Sequence, residues 1–537
     1  AQLSTDAFTT LNITSQTLNV SATFQALVPN TTYYLRVRAL NSNELPTVFS
    51  AAAPAFTLPA APAAPALSAI ALSSMTLDWS AEGNPAGTVY LAQLSTDGFT
   101  TLNISSQTLS LSATFQALAP NTTYYLRVQA LGWGGSSPFA QAAAAPSLAV
   151  TPAAPFLSAV ELSSAALSWG AGGNPAATSY LAQISTDAFT TVNASSNTLL
   201  TSATFFALQS NATYYMRVQA LNAASMPTAF VAVVATATLP AAPAASPPTF
   251  VGPTAVTVNW TANGNASGTL YDARVSSDGF STLNASSGTY DVSATFAGLS
   301  ANTTYYFQVR ALGHGGRLTP LTTLPSTTTL LAEPGAGAPS LVAVDFASAT
   351  VSWTDGGNPP GTGYEADLSS DAFASVNFSS STLNLSVVFG AGGAGADLLA
   401  NTTYYFRVRA RGGANASTVK DLGSAASPAF SPAATTVLSV TSSTVSLDWL
   451  PQGNPDPGTV YELWRDVSAA FASPVKTLVS VTAAEATGLS PLTTYYFKAR
   501  TLGHNGGVTT FDAAVSTRTE PAAPGQPGAP IGAALGV

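Results

Sequence analysis

One short phrase returns along this chain at a fixed interval, and that interval limits what the chain can fold into. Asn-Thr-Thr-Tyr-Tyr spans residues 30–34 and returns at 121–125, 302–306 and 401–405, with Asn-Ala-Thr-Tyr-Tyr at 211–215 and Leu-Thr-Thr-Tyr-Tyr at 492–496. The first tyrosines, Tyr33, Tyr124, Tyr214, Tyr305, Tyr404 and Tyr495, lie 91, 90, 91, 99 and 91 residues apart. A period of that size is one domain copied in tandem. The length of 537 residues alone suggests roughly three to five domains; the repeat gives six, the first of them truncated.

Within each period the pattern is that of strands. A proline-alanine phrase opens the unit, as at Pro62 and Pro65 or Pro152 and Pro155. Proline fixes φ and lacks a donor, so these are linkers and edge-strand starts. A period-two run follows, ending in Trp79, Trp169, Trp260, Trp353 or Trp449; Leu77 and Trp79 share one face. Gly-Asn-Pro turns come next at 83–85, 173–175, 357–359 and 453–455, with Gly-Asn-Ala at 264–266. Seven short strands in about 90 residues read as an all-β sandwich.

The run from Leu118 through Pro120, Tyr124, Leu126 and Val128 to Ala130, together with the tryptophan strand, resembles the fibronectin type III repeat. The resemblance covers nearly the whole chain and implies a tandem array of seven-stranded, Ig-like β-sandwiches. It also implies that the six tyrosines are corner tyrosines, ring buried and hydroxyl bonded to nearby backbone. Alternation then places Leu35 and Val37 inside, and Tyr34, Arg36 and Arg38 outside. The expected domains are 1–58 (lacking its first strands), 59–149, 150–239, 240–333, 334–427 with a Gly/Ala insertion at 390–396, 428–520, and a linker with one strand of a further domain at 521–537.

Residues 1–6 align with 92–97, so the first unit begins in mid-domain, and 529–537 fit an opening strand. Two explanations stay open. The chain is a window of a longer repeat protein, or a subunit whose first domain is completed by a strand from another copy.

Charged residues make up 8% of the chain, against about 25% in ordinary soluble proteins. Net charge is −9, and no basic stripe is present, which argues against nucleic-acid partners. No apolar run reaches the roughly 20 residues that span a bilayer, so no membrane insertion is expected. With no cysteine, disulfides and thiolate metal sites are excluded. A weakly charged surface is wetted by hydroxyls, covered by glycan, or buried against other copies.

Asn-x-Ser/Thr sequons occur at Asn12, Asn19, Asn30, Asn103, Asn121, Asn193, Asn211, Asn259, Asn265, Asn284, Asn302, Asn377, Asn384, Asn401 and Asn415. Two registers recur: one after the Asp-x-Phe turn, one in the turn before Tyr-Tyr. Both are expected to be exposed and open to N-glycosylation, although asparagine also favours turns for its own reasons. Asp6, Asp97, Asp187, Asp278 and Asp371 recur in a Ser-x-Asp-x-Phe turn; one carboxylate per unit suits turn capping better than calcium, which takes about six oxygens. His314 and His504 lie about two units apart, too far for a shared triad. No cofactor, metal site or catalytic set is expected. The outward Tyr-Arg row fits either cross-strand packing or an interface.

These features point to a non-catalytic, glycosylated structural subunit of an extracellular filament or surface fibre, its partners other copies of itself, joined head to tail or by strand exchange. An adhesin stalk or ligand-binding array, and a spacer region of a secreted enzyme, are the alternatives.

Overall fold

The computed structural model describes residues 1–525, so the strand expected at 529–537 lies outside the described residues. The chain divides into two compact units. One holds residues 1–242 with 262–270 and 311–320; the other holds 243–261, 271–310 and the chain from Leu321 on. The fourth module contributes to both.

The second module shows the plan. Strands Ala63–Ile70, Met75–Ser80 and Ser112–Phe115 form one antiparallel sheet with the tryptophan strand in the centre. Strands Ile104–Thr108, Val89–Ser95 and Thr123–Gly132 form the other, closed by a last strand in three short pieces at 135–136, 140–141 and 145–146. Strand Ile104–Thr108 is an edge strand. The inner faces meet in a core of Leu77, Trp79, Tyr90, Leu94, Phe115, Leu126 and Val128, all buried. Residues of one strand face alternate sides, so Tyr124, Leu126, Val128 and Ala130 point inward together.

Each tryptophan packs against the first tyrosine of the following strand: Trp79 on Tyr90, Trp169 on Tyr180, Trp260 on Tyr271, Trp353 on Tyr364 and Trp449 on Tyr461, centroids 5.4–5.9 Å apart. Their indole N–H groups are buried without an acceptor among the described residues. Such an orphan costs about 1–3 kcal/mol. Burying the ring returns about 4–6 kcal/mol at 25 cal/mol per Å², so burial wins.

The corner tyrosines do what the resemblance implies. Tyr33, Tyr124, Tyr214, Tyr305, Tyr404 and Tyr495 each accept, at 2.9–3.1 Å, the backbone N–H five residues upstream: Val28, Ala119, Gln209, Ser300, Leu399 and Ser490. Five of the rings are buried; Tyr495 is only half-buried, packed at the rim of its core.

The first module departs from the plan. Residues 21–24, which match the strand Ser112–Phe115, form no strand, because the tryptophan strand they would pair with is not in the described chain. Leu35 is therefore only half-buried and Val37 is 53% exposed, where Leu126 and Val128 are fully buried. The inward placement of Val37 expected from alternation needs a second sheet above it.

Replacing Tyr124 by Phe leaves the Ala119 N–H without its acceptor in a part-buried corner. Urea unfolding of the Tyr124→Phe chain is expected to show a loss of about 1–3 kcal/mol in the transition of that module. Tyr495→Phe, at a more exposed corner, is expected to lose less.

Candidate functional site

Two asparagines meet at the joints between modules, the first a clamp and the second a pin. The first belongs to the Gly-Asn-Pro turn. Asn84 accepts the N–H of Ala60 at 2.9 Å and donates Nδ2 to the carbonyl of the same residue at 2.9 Å. Its carboxamide thus pairs with the linker as a neighbouring strand would. Asn174 on Val150, Asn265 on Ala241, Asn358 on Ala332 and Asn454 on Phe430 repeat the pair at 2.7–2.9 Å. Each also donates to its own turn, as Asn84 does to Ala81 at 2.7 Å. All five are at most 7% exposed.

The second asparagine opens the Asn-x-Thr-Tyr-Tyr phrase and reaches into the next module. Asn30, Asn121, Asn211 and Asn401 donate Nδ2 to Thr88, Thr178, Thr269 and Thr459, at 3.0, 2.8, 2.9 and 3.2 Å. Those threonines sit four or five residues past the clamp asparagine, and Thr88 and Thr269 donate their own hydroxyls back into the turn. The pin's Oδ1 accepts a backbone N–H from the loop after the corner strand of the next module: Ala223 on Asn121, His314 on Asn211 and His504 on Asn401, at 2.8–3.0 Å. A buried carboxamide with donor and acceptor both satisfied gives direction as well as cohesion. The pin residues themselves adopt φ of 42–52°, a left-handed setting that asparagine tolerates better than most.

The fourth joint differs. Asn302 stands at the pin position but makes no side-chain hydrogen bond among the described residues. There Glu333 accepts from Thr418 at 2.7 Å and faces Lys420 at 3.7 Å.

These placements correct part of the sequon reading. N-glycosylation joins a sugar to Nδ2, and the Nδ2 of Asn30, Asn121, Asn211 and Asn401 is held inside a joint. Asn211 and Asn401 are 3% and 0% exposed. Asn265 is a buried clamp, and Asn259 donates Nδ2 to Pro247 and Thr249. Asn302 is half-buried. A glycan at a pin or clamp would break the contact it makes. Asn12, Asn19, Asn103, Asn193, Asn284, Asn377, Asn384 and Asn415 are exposed.

The outward arginines are occupied within their own modules. Arg127 lies between the rings of Phe99 and Phe139, 4.0 and 3.9 Å from their centroids, and donates to Gln93 at 2.9 Å. Arg36 lies between Phe8 and Phe49, and Arg217 between Phe189 and Phe230. In later modules arginines pair with carboxylates: Asp367, at the position of the glutamine, with Arg407, and, one residue after the core tyrosine, Asp272 with Arg274 and Arg310, Glu365 with Arg409 and Arg411, and Glu462 with Arg500. The row is cross-strand packing, not a free interface.

The recurring aspartate caps its own turn. Asp97 accepts from the hydroxyl and backbone N–H of Thr101 and from Ser95, at 2.7–3.0 Å. Ser95 also accepts the N–H of Phe99, which holds that phenylalanine at φ 70° with its ring over Arg127. The same bonds hold Asp6, Asp97, Asp187, Asp278 and Asp371 at pKa values of about 2, below the ordinary 3.8. His314 and His504 contribute backbone N–H groups to pins, while their side chains face solvent. No group of three metal-ligating side chains occurs among the described residues.

Residues 242–327 match the family model of the fibronectin type III domain. The other complete modules share its strand order, buried tryptophan and corner tyrosine. The matched stretch is a fibronectin type III domain, and the chain is a tandem array of β-sandwiches of that fold. No curated protein matches it. Similar solved structures include the chicken CNTN1 FN1-FN3 domains, at 16% identity over 52% of this chain and 98% of that one, with a TM-score of 0.20. Another is the two fibronectin type III domain segment of chicken tenascin, at 15% identity over 33% and 99%, with a TM-score of 0.26.

The capped turns set an acid limit on these modules. Their carboxylates titrate lower in the folded chain than at the ordinary 3.8, so their contribution is complete above about pH 5 and is lost as pH falls from about 4 through 2. Calorimetry across that window is expected to show melting temperatures falling steeply. A chain with Asp97, Asp187, Asp278 and Asp371 changed to Asn is expected to melt lower at pH 7 and to lose less on acidification.

Proposed function

We propose that the chain is a non-catalytic structural subunit of an extracellular filament or surface fibre, in which fibronectin type III modules set spacing and copies of the chain associate with one another. The supporting observation is the joint. Neighbouring modules are tied by directional carboxamide bonds at four of the five joints, fully buried at two of them, and linkers are clamped at all five. Proline-bearing linkers between fixed ends act as semi-rigid spacers. A protein selected to transmit force or hold distance needs such joints; one that only displays independent binding domains does not. The surface suits association as well. Charge is sparse, and exposed apolar pairs stand beside one edge strand in each complete module through the fifth, such as Leu109 and Leu111, Leu199 and Leu200, and Leu383 and Leu385.

Negative-stain microscopy and multi-angle light scattering on the secreted full chain check this reading. Uniform fibres that form with rising concentration are expected. A chain that stays monomeric up to the highest attainable concentration contradicts it, and isolated flexible particles would favour a stalk or binding array.

A further inference from the structure

Five of the exposed sequons share one place in the fold. Asn12, Asn103, Asn193, Asn284 and Asn377 each stand immediately before an outer strand of the four-strand sheet layer, as Asn103 stands before Ile104–Thr108. Each turns its Oδ1 inward to accept the backbone N–H seven residues upstream, at 2.6–2.7 Å, from Thr5, Thr96, Thr186, Ser277 and Ser370. The carboxamide is therefore fixed in orientation on an exposed residue, and Nδ2 donates to no partner among the described residues. The hydroxyl residue of the sequon, Thr14, Ser105, Ser195, Ser286 or Ser379, lies on the edge strand itself.

An open edge strand is a template for pairing with another chain, and proteins blunt such edges with proline, lysine or bulk. The edge strands of the second to fifth modules, Ile104–Thr108, Ala194–Thr198, Ala285–Thr289 and Phe378–Thr382, contain no proline and no charge. The sixth module lacks the sequon, and the register shows what replaces it. Lys476 pairs with Trp464 as Ser105 pairs with Gln93, so Pro474, Val475 and Lys476 stand where Asn103, Ile104 and Ser105 stand. Where the sequon is lost, the two edge-blunting residue types occupy its two essential positions. Lys476 is exposed, with its ammonium 4.7 Å from the Trp464 ring.

We propose that Asn12, Asn103, Asn193, Asn284 and Asn377 carry N-linked glycans that guard the edge strands of the first five modules, while the pin asparagines Asn121, Asn211 and Asn401 stay unmodified. The inference rests on the extracellular part of the reading above but not on filament formation. In the modification, Nδ2 forms a bond to C1 of the first sugar of a polyprenyl-diphosphate-linked oligosaccharide. The C1–O bond to the diphosphate breaks, the diphosphate leaves with the electron pair, and one Nδ2 proton passes to a base of the transferase. No oxidation or reduction occurs.

The test is site-by-site glycopeptide mass spectrometry of the full chain secreted from a eukaryotic host. High occupancy at the edge series and none at Asn121, Asn211 and Asn401 is expected; an empty edge series or occupied pins in the folded chain would overturn the proposal, whatever the filament assay shows. The guarding role is read from paired variants that leave every asparagine and its turn bond in place. Ser105, Ser195, Ser286 and Ser379 changed to Ala should remove those glycans and raise the self-association seen by light scattering at least several-fold. The same four changed to Lys should also remove the glycans yet restore the glycosylated chain's behaviour. Equal association of the Ala and Lys sets, or no change in either, would overturn it.

Discussion

A carboxamide has one acceptor oxygen and one donor nitrogen, the same pair a peptide group offers, and this array relies on that equivalence at every joint. The clamp asparagines use it to pair with a linker residue as a strand would. The pins use it to hold a threonine hydroxyl with one end and, at Asn121, Asn211 and Asn401, a loop N–H with the other. Buried polar groups are costly when half-satisfied and directional when fully satisfied. An asparagine at such a joint accepts few other arrangements. The sandwich cores hold each complete module together, and the carboxamides relate it to the next.

The same economy of charge runs through the sheet faces. With charged residues at 8%, arginines are too few to coat the surface, and those that follow the paired tyrosines lie against phenylalanine rings or on carboxylates of their own module. Each such guanidinium contact contributes about 0.5–1 kcal/mol at partly exposed sites. The phenylalanine it covers has an unfavourable positive φ, stabilised by the serine and aspartate of the turn. Turn, ring and guanidinium therefore form one local device, repeated with Lys498 between Phe471 and Phe511 in the sixth module.

The fold was legible because burial at period two constrains residue type strongly. Trp79, Leu126 and Val128 cannot be exchanged for polar residues, and Tyr124 has to reach a backbone N–H at a fixed offset, so the phrases repeat. The joints were not legible for a physical reason. Asn121 and Asn103 present the same sequon and the same turn preference, and what separates them is the neighbouring module covering the first. A signal did exist. Asn265 keeps its place where the following proline is lost, and Thr88, Thr178, Thr269 and Thr459 recur just behind the turn. The arginine row was placed outward correctly, but its partners sit in a turn whose left-handed phenylalanine no periodicity announces. Val37 shows the opposite limit: alternation assigns a face, and only a covering sheet makes that face an interior.

The most direct measurement is the distance distribution across one joint. The chain has no cysteine, so spin labels at Leu109→Cys and Leu199→Cys, both on exposed positions, report on the joint between the second and third modules without background. Pulsed electron resonance should give one narrow distance, and changing Asn121 and Asn174 together to Ala should broaden it while each module keeps its own melting transition. Distributions of equal width with and without the two asparagines would contradict the account.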